Sequence, residues 1–114
     1  MREIKFRAWN TDFKPAIMEY FDLKESIKHE TNKLFKFQDK KLMQYTGLED
    51  KNGVEIYEGD IVKPFPEDDY AQIIFMSGTF KIASRRKNGN YLCWKYMKEE
   101  IEVIGNIYEN PELL

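Results

Sequence analysis

The sequence predicts a mainly β protein, a small barrel or rolled sheet with an N-terminal hairpin and one short helix. Three observations predict it. Apolar and polar residues alternate at period two in several short runs. Glycine-containing turns separate runs rich in β-branched and aromatic residues. Short strands at this density are the pattern of a small barrel or roll. Eight Phe, seven Tyr and two Trp among 114 residues supply the apolar area that a folded core needs. That length suits one compact unit, so we expect a single domain over 1–114, with 1–40 an N-terminal subregion and 41–114 the barrel-forming part.

The first strand is "REIKFRAW", residues 2–9, in which Ile4, Phe6 and Ala8 share one face and Glu3, Lys5, Arg7 and Trp9 the other. "NTDFKPA" is a polar turn, and "AIMEYF" is a strand able to pair back on the first. Asp22 and Glu25 have capping-box spacing, with Leu23, Ile27 and Thr31 at helical intervals, which predicts the short helix. "KLFKFQD" and "KLMQYTG" return to strand character. From Gln72 onward, "QIIFM", Ser77-Gly78, "TFKIAS", "RRKNGN" and "YLCWKYM" read as a three-stranded meander. In "IEVIGNIYEN", Gly105 marks a bend or bulge and Pro111 ends strand formation. The "PFPEDD" segment, with two prolines and three acids, is expected to be a loop.

Composition excludes several function classes. A formal net charge of −2 and a pI near 5.5 lack the strongly basic signature of nucleic-acid binders. One cysteine, Cys93, and one histidine, His29, cannot make an internal disulfide or a zinc site of the usual kinds. Apolar runs such as "AQIIFM" are far shorter than the roughly 20 residues of a membrane helix. The expectation is a cytoplasmic protein without cofactor, metal or membrane partner.

The stretch "DKNGVEIYEGDIV", Asp50 to Val62, raises the question of a metal or catalytic site. Placing Gly53 at the glycine of an EF-hand loop puts Leu48 at the first ligand position and Gly59 at the twelfth, where oxygen donors are required. Glu55, Glu58 and Asp60 could form an acid pair, but acids beside turns are usually caps or solvated side chains. We therefore read the stretch as structural. Asn52-Gly53 is expected to form a type I′ turn, and Glu58-Gly59-Asp60 a second reversal, with Gly59 left-handed and the Asp60 carboxylate accepting a nearby backbone N–H.

The run "LMQYTGLEDKNGVEIYEGDIV", preceded by "REIKFRAW" and followed by "IEVIGNIYENPELL", resembles the three ordered motifs of the YopX family of phage and prophage proteins. Asn10 stands where an acid is common in the family, which argues against a catalytic acid there. The resemblance implies a Src-homology-3-like roll and a phage or prophage origin. It implies no known activity, cofactor or catalytic residue.

Three functional readings follow. The first is a non-enzymatic module that binds a host or phage protein through aromatic positions, with Trp9, Tyr57, Tyr91 and Trp94 as candidates. The second is nucleic-acid binding by the hairpin 85–98, where Arg85, Arg86, Lys87, Lys95 and Lys98 surround Tyr91, Trp94 and Tyr96. An enzyme using His29, Cys93 or Ser77 comes third, since each has a plainer structural role. Unpaired strand edges also make a homo-oligomer an expectation.

Overall fold

The computed structural model describes residues 4–22, 41–63, 70–84, 91–92 and 101–113. Among these, nine strands run β1 (Lys5–Asn10), β2 (Ile17–Asp22), β3 (Lys41–Glu49), β4 (Glu55–Tyr57), β5 (Asp60–Lys63), β6 (Ala71–Met76), β7 (Thr79–Ser84), β8 (Tyr91–Leu92) and β9 (Glu102–Asn106), with a short 3-10 helix at Pro111–Leu113. They form two antiparallel sheets, ordered β2-β1-β3-β4 and β8-β7-β6-β5-β9. The fold is mainly β. Among the described residues no ladder joins the two sheets into a closed barrel. The expected helix after Asp22, the "KLFKFQD" strand and the "PFPEDD" loop lie outside the described residues.

The N-terminal hairpin pairs Lys5 with Asp22 through Asn10 with Ile17, and β1 also pairs with β3. Cross-strand partners share a face, so Phe6 joins Phe21, while Arg7 joins Tyr20 and Met43. The Phe6 and Phe21 rings stack at 6.0 Å, next to fully buried Ala8. The other face is not the polar surface of a half-buried strand, because Arg7 is itself buried. It turns towards β5, where Asp60 supplies the counter-charge.

The main core is built by the second sheet. Ile73 and Ile82 are direct partners across β6 and β7, and they cluster with Ile56, Val62, Ala71 and Ile101. Each buried isoleucine contributes roughly 1.5–3 kcal/mol. The β6–β7 hairpin closes through Ser77 (φ 54°) and Gly78 (φ 80°), the positive-φ pair of a type I′ turn. Serine is strained there and asparagine tolerates the region better. Ser77→Asn should therefore raise stability by about 0.5 kcal/mol, read as a small increase in Tm; an unchanged or lower Tm would contradict the turn assignment.

Asn52-Gly53 forms a different turn from the one its sequence suggests. Gly53 has φ 81°, but Asn52 is not in the positive region, and the Gly53 N–H donates to Asp50 O at 3.0 Å. Lys51 and Asn52 thus occupy the turn's centre. The reason is the Asp50 carboxylate: its Oδ1 accepts the N–H groups of Asn52 (2.8 Å) and Val54 (2.9 Å), a side-chain bridge that holds ordinary turn geometry.

Glu58 and Gly59 carry the chain from β4 in one sheet to β5 in the other. This corner is tied on three sides: Glu58 N–H donates to Gln44 O, Gly59 N–H to Ile73 O, and Ile107 N–H to Gly59 O. Gly59 has φ 88°, and a Cβ there would lie 2.9 Å from Met43 Sδ, so both conformation and space require glycine. Opposite β5, Ile61 faces Gly105 while Val62 faces Val103. Ile104 is the extra residue of a β-bulge.

Candidate functional site

The corner and the inner face of the N-terminal hairpin enclose a cleft of about 280 Å³. β1 contributes Arg7, β2 Tyr20, β4 Glu55 and Tyr57, β5 Asp60, and β9 Val103, Gly105 and Asn106, with Val54 beside the opening. Gly105 is needed for the β9 wall, since a Cβ would fall 2.5 Å from Asn110 Oδ1. Asn106 holds the following turn by accepting the Tyr108 and Glu109 N–H groups on Oδ1.

At the base lies a buried ion pair. Arg7 Nη2 donates to Asp60 Oδ1 at 2.7 Å and to Glu58 O at 3.2 Å, and the Tyr57 N–H donates to Asp60 Oδ2 at 2.7 Å. The Arg7 guanidinium lies 4.8 Å from the Tyr57 ring centre, within cation–π range. Burial pushes the Asp60 carboxyl above the usual carboxylate value, with the Arg7 charge and the Tyr57 N–H pulling the other way. Nearer the surface, Glu55 pairs with Lys5 and accepts the Tyr57 hydroxyl at 3.2 Å.

Tyr57 carries a pH dependence. Burial first, then the Glu55 charge and hydrogen bond, raise its phenol above the ordinary 10.0. A folded-state value above the unfolded one gives stability that is complete below pH 10 and is lost as pH rises beyond it. Spectrophotometric titration should therefore show a late-ionising phenol that Tyr57→Phe removes, along with part of the alkaline loss of stability. A variant whose titration overlays the wild type would contradict this.

The sequence candidates separate in space. Tyr57 is 3% exposed and belongs to the cleft floor rather than an aromatic surface, because the rings of Tyr20 and Tyr45 cover it at 5.6 and 5.3 Å. Tyr20, at 58% exposure, is the surface aromatic instead. Trp9 is half-buried and stacks on Tyr108 at 6.0 Å. Asn52 and Gly53 are exposed in their turn, away from the cleft lining, whereas Asp60 forms its base and Gly59 adjoins it. Tyr91 is placed as a backbone position in β8. Arg85, Arg86, Lys87, Trp94, Lys95 and Lys98, with His29 and Cys93, lie outside the described residues.

Arg7, Tyr20 and Asn106 escape sequence reasoning. The signal for Arg7 was available: Trp9 shares its face, so that face was never uniformly polar. Of Glu55, Glu58 and Asp60, the three acids considered for a catalytic or metal pair, Glu55 and Asp60 are each engaged by a cation, and Glu58 is half-buried at the corner. Among the described residues no three His, Cys, Asp or Glu side chains gather as a metal site, and no helix is long and apolar enough to cross a membrane.

No curated protein matches this chain. Among solved structures, the crystal structure of protein EF1440 from Enterococcus faecalis is similar over 97% of each chain, with 26% identity and a TM-score of 0.58. The family described as YopX protein matches residues 14–114, a span that includes β2 to β9 and hence every cleft wall except the one that Arg7 provides. The chain belongs to the YopX family.

Proposed function

We propose that this chain is a phage- or prophage-encoded, cytoplasmic, non-enzymatic module that binds a host or phage protein. The observation that carries this reading is the cleft mouth, where Tyr20 and Val54, at 58% and 47% exposure, stand above the buried Arg7–Asp60 pair. Tyr20 packs edge-on against Tyr57, so it loses little side-chain freedom on binding. Tyrosines so held are frequent binding hot spots. Two of the three candidate acids are already engaged, Asp60 by Arg7 and Glu55 by Lys5, which favours binding over catalysis by that pair. The phage or prophage origin follows the family resemblance. The two-residue corner at Glu58–Gly59 and the bulge at Ile104 support a sheet arrangement rolled in the Src-homology-3-like manner.

Affinity capture from a bacterial lysate, with wild type and Tyr20→Ala in parallel and with and without nuclease, tests the reading. The expected result is a specific protein retained by the wild type after nuclease and largely lost with Tyr20→Ala. Recovery of nuclease-sensitive material alone, indifferent to Tyr20, would reject it in favour of the basic and aromatic segment 85–98.

A further inference from the structure

The four sheet ends differ in how they are protected. An unpaired strand edge is a template for a further strand, and proteins blunt it with short strands, bulges, proline, lysine or covering groups. β8 is two residues long and β4 three, and the Tyr57 N–H of β4 is taken by the Asp60 carboxylate. β9 is covered by the β3–β4 turn: its Val103 N–H donates to Asp50 Oδ2, and the adjoining Ile101 O accepts the Lys51 N–H. β2 has none of these devices. Its six residues contain neither proline nor lysine and pair with β1 in unbroken register. Among the described residues no strand lies on its outer side.

The side chains of β2 constrain what pairs there. Tyr20 opposes Arg7 and lies on the cleft side, whereas Ile17 and Glu19 share the other face. Tyr20 and Ile17 are both exposed. Glu19 is half-buried, and its carboxylate accepts a neutral donor, Asn10 Nδ2, at 2.6 Å. Among the described residues no Lys or Arg forms an ion pair with it. A cation on an adjacent strand would supply the missing charge, since opposite charges across a strand pair attract. A second copy of β2 has no Lys or Arg to offer. We infer that β2 is an edge for strand addition, along which the protein partner lays an extended segment with a Lys or Arg opposite Glu19 and apolar residues opposite Tyr20 and Ile17. The inference rests on the protein-binding reading above. Main-chain hydrogen bonds would give such a segment affinity, and its alternate side chains specificity.

The test titrates two peptides into the isotope-labelled full chain at neutral pH, followed by backbone amide NMR. One is acetyl-Thr-Thr-Val-Lys-Thr-Val-Thr-amide, which in antiparallel register sets Lys opposite Glu19 and Val opposite Tyr20 and Ile17. The other carries Glu in place of Lys. The lysine probe should give saturable shifts and new amide-exchange protection along Ile17–Asp22, and bind about three- to tenfold tighter than the glutamate probe, the range of cross-strand charge pairs. Glu19→Gln, which keeps an acceptor for Asn10, should close that gap, and Glu19→Lys should reverse it while the spectrum stays dispersed. Equal affinities, shifts centred away from β2, or no saturation with either probe would overturn the inference. Concentration-dependent protection of the β2 amides in the chain alone would assign the edge to a second copy and overturn it too. If the captured partner is lost with Tyr20→Ala but kept by Glu19→Lys, the protein-binding reading stands and the strand addition does not. If capture fails and neither probe saturates, both fall.

Discussion

Asp60→Ala should lower the stability of this protein by about 3–5 kcal/mol, the usual result of removing one partner from a buried ion pair. The substitution leaves the Arg7 charge buried with Glu58 O as its remaining acceptor, and it also strips the Tyr57 N–H of its partner. Since total stabilities run to about 5–15 kcal/mol, a large part of the fold's margin is at stake. Urea unfolding of wild type, Asp60→Ala and the double variant Arg7→Met/Asp60→Ala resolves the cause. The double variant should recover part of the loss, because the unpaired charge is gone while the Tyr57 N–H remains unmet. A single-variant loss below about 1 kcal/mol, the range of exposed pairs, would mean that Arg7 finds water when Asp60 is absent.

Asp50→Ala is expected to cost about 3 kcal/mol, because one buried carboxylate serves three backbone donors. Its Oδ1 holds the Asn52 and Val54 N–H groups, and its Oδ2 accepts the Val103 N–H at 2.9 Å. Hydrogen bonds to charged groups contribute about 1.5–3 kcal/mol each and are not additive. The third bond matters most structurally, since it fastens the β3–β4 turn to β9, alongside the Lys51 N–H donated to Ile101 O. Chemical denaturation gives the magnitude, and amide exchange at Val103 gives the location. Asp50→Asn should keep the Oδ1 role and lose the Oδ2 role, exposing Val103 to exchange while sparing Val54. Equal protection at Val103 in all three proteins would refute the assignment.

Period-two patterning makes the hairpins legible in the sequence. β1–β2 and β6–β7 declare themselves because each strand pairs with its neighbour in the chain and buries residues such as Ile73 and Ile82 in alternation. What patterning cannot show is which sheet a strand joins. β4 and β5 are separated by two residues yet belong to different sheets, a consequence of long-range ties at Gly59. The glycine turns illustrate the same limit. Ser77-Gly78 and Asn52-Gly53 look alike locally, but only the first has positive φ at both residues, because the second is governed by the Asp50 side chain. The site was legible in one half only. Asp60 stands out in "YEGDIV", whereas its partner Arg7 sits in another motif, where a charged residue in a strand ordinarily faces water.

That separation has a consequence during synthesis. Arg7 and Asp60 are 53 residues apart in the chain, so at about 5–20 residues per second the ribosome adds the carboxylate roughly 3–10 s after the guanidinium. The β1–β2 hairpin is local and can pair within that interval, but its Arg7 face has to stay hydrated, since enclosing an uncompensated cation is prohibitive. The enclosed Arg7 face of the folded protein thus requires a residue made later in the chain, and a fragment ending before Asp60 should leave Arg7 in water.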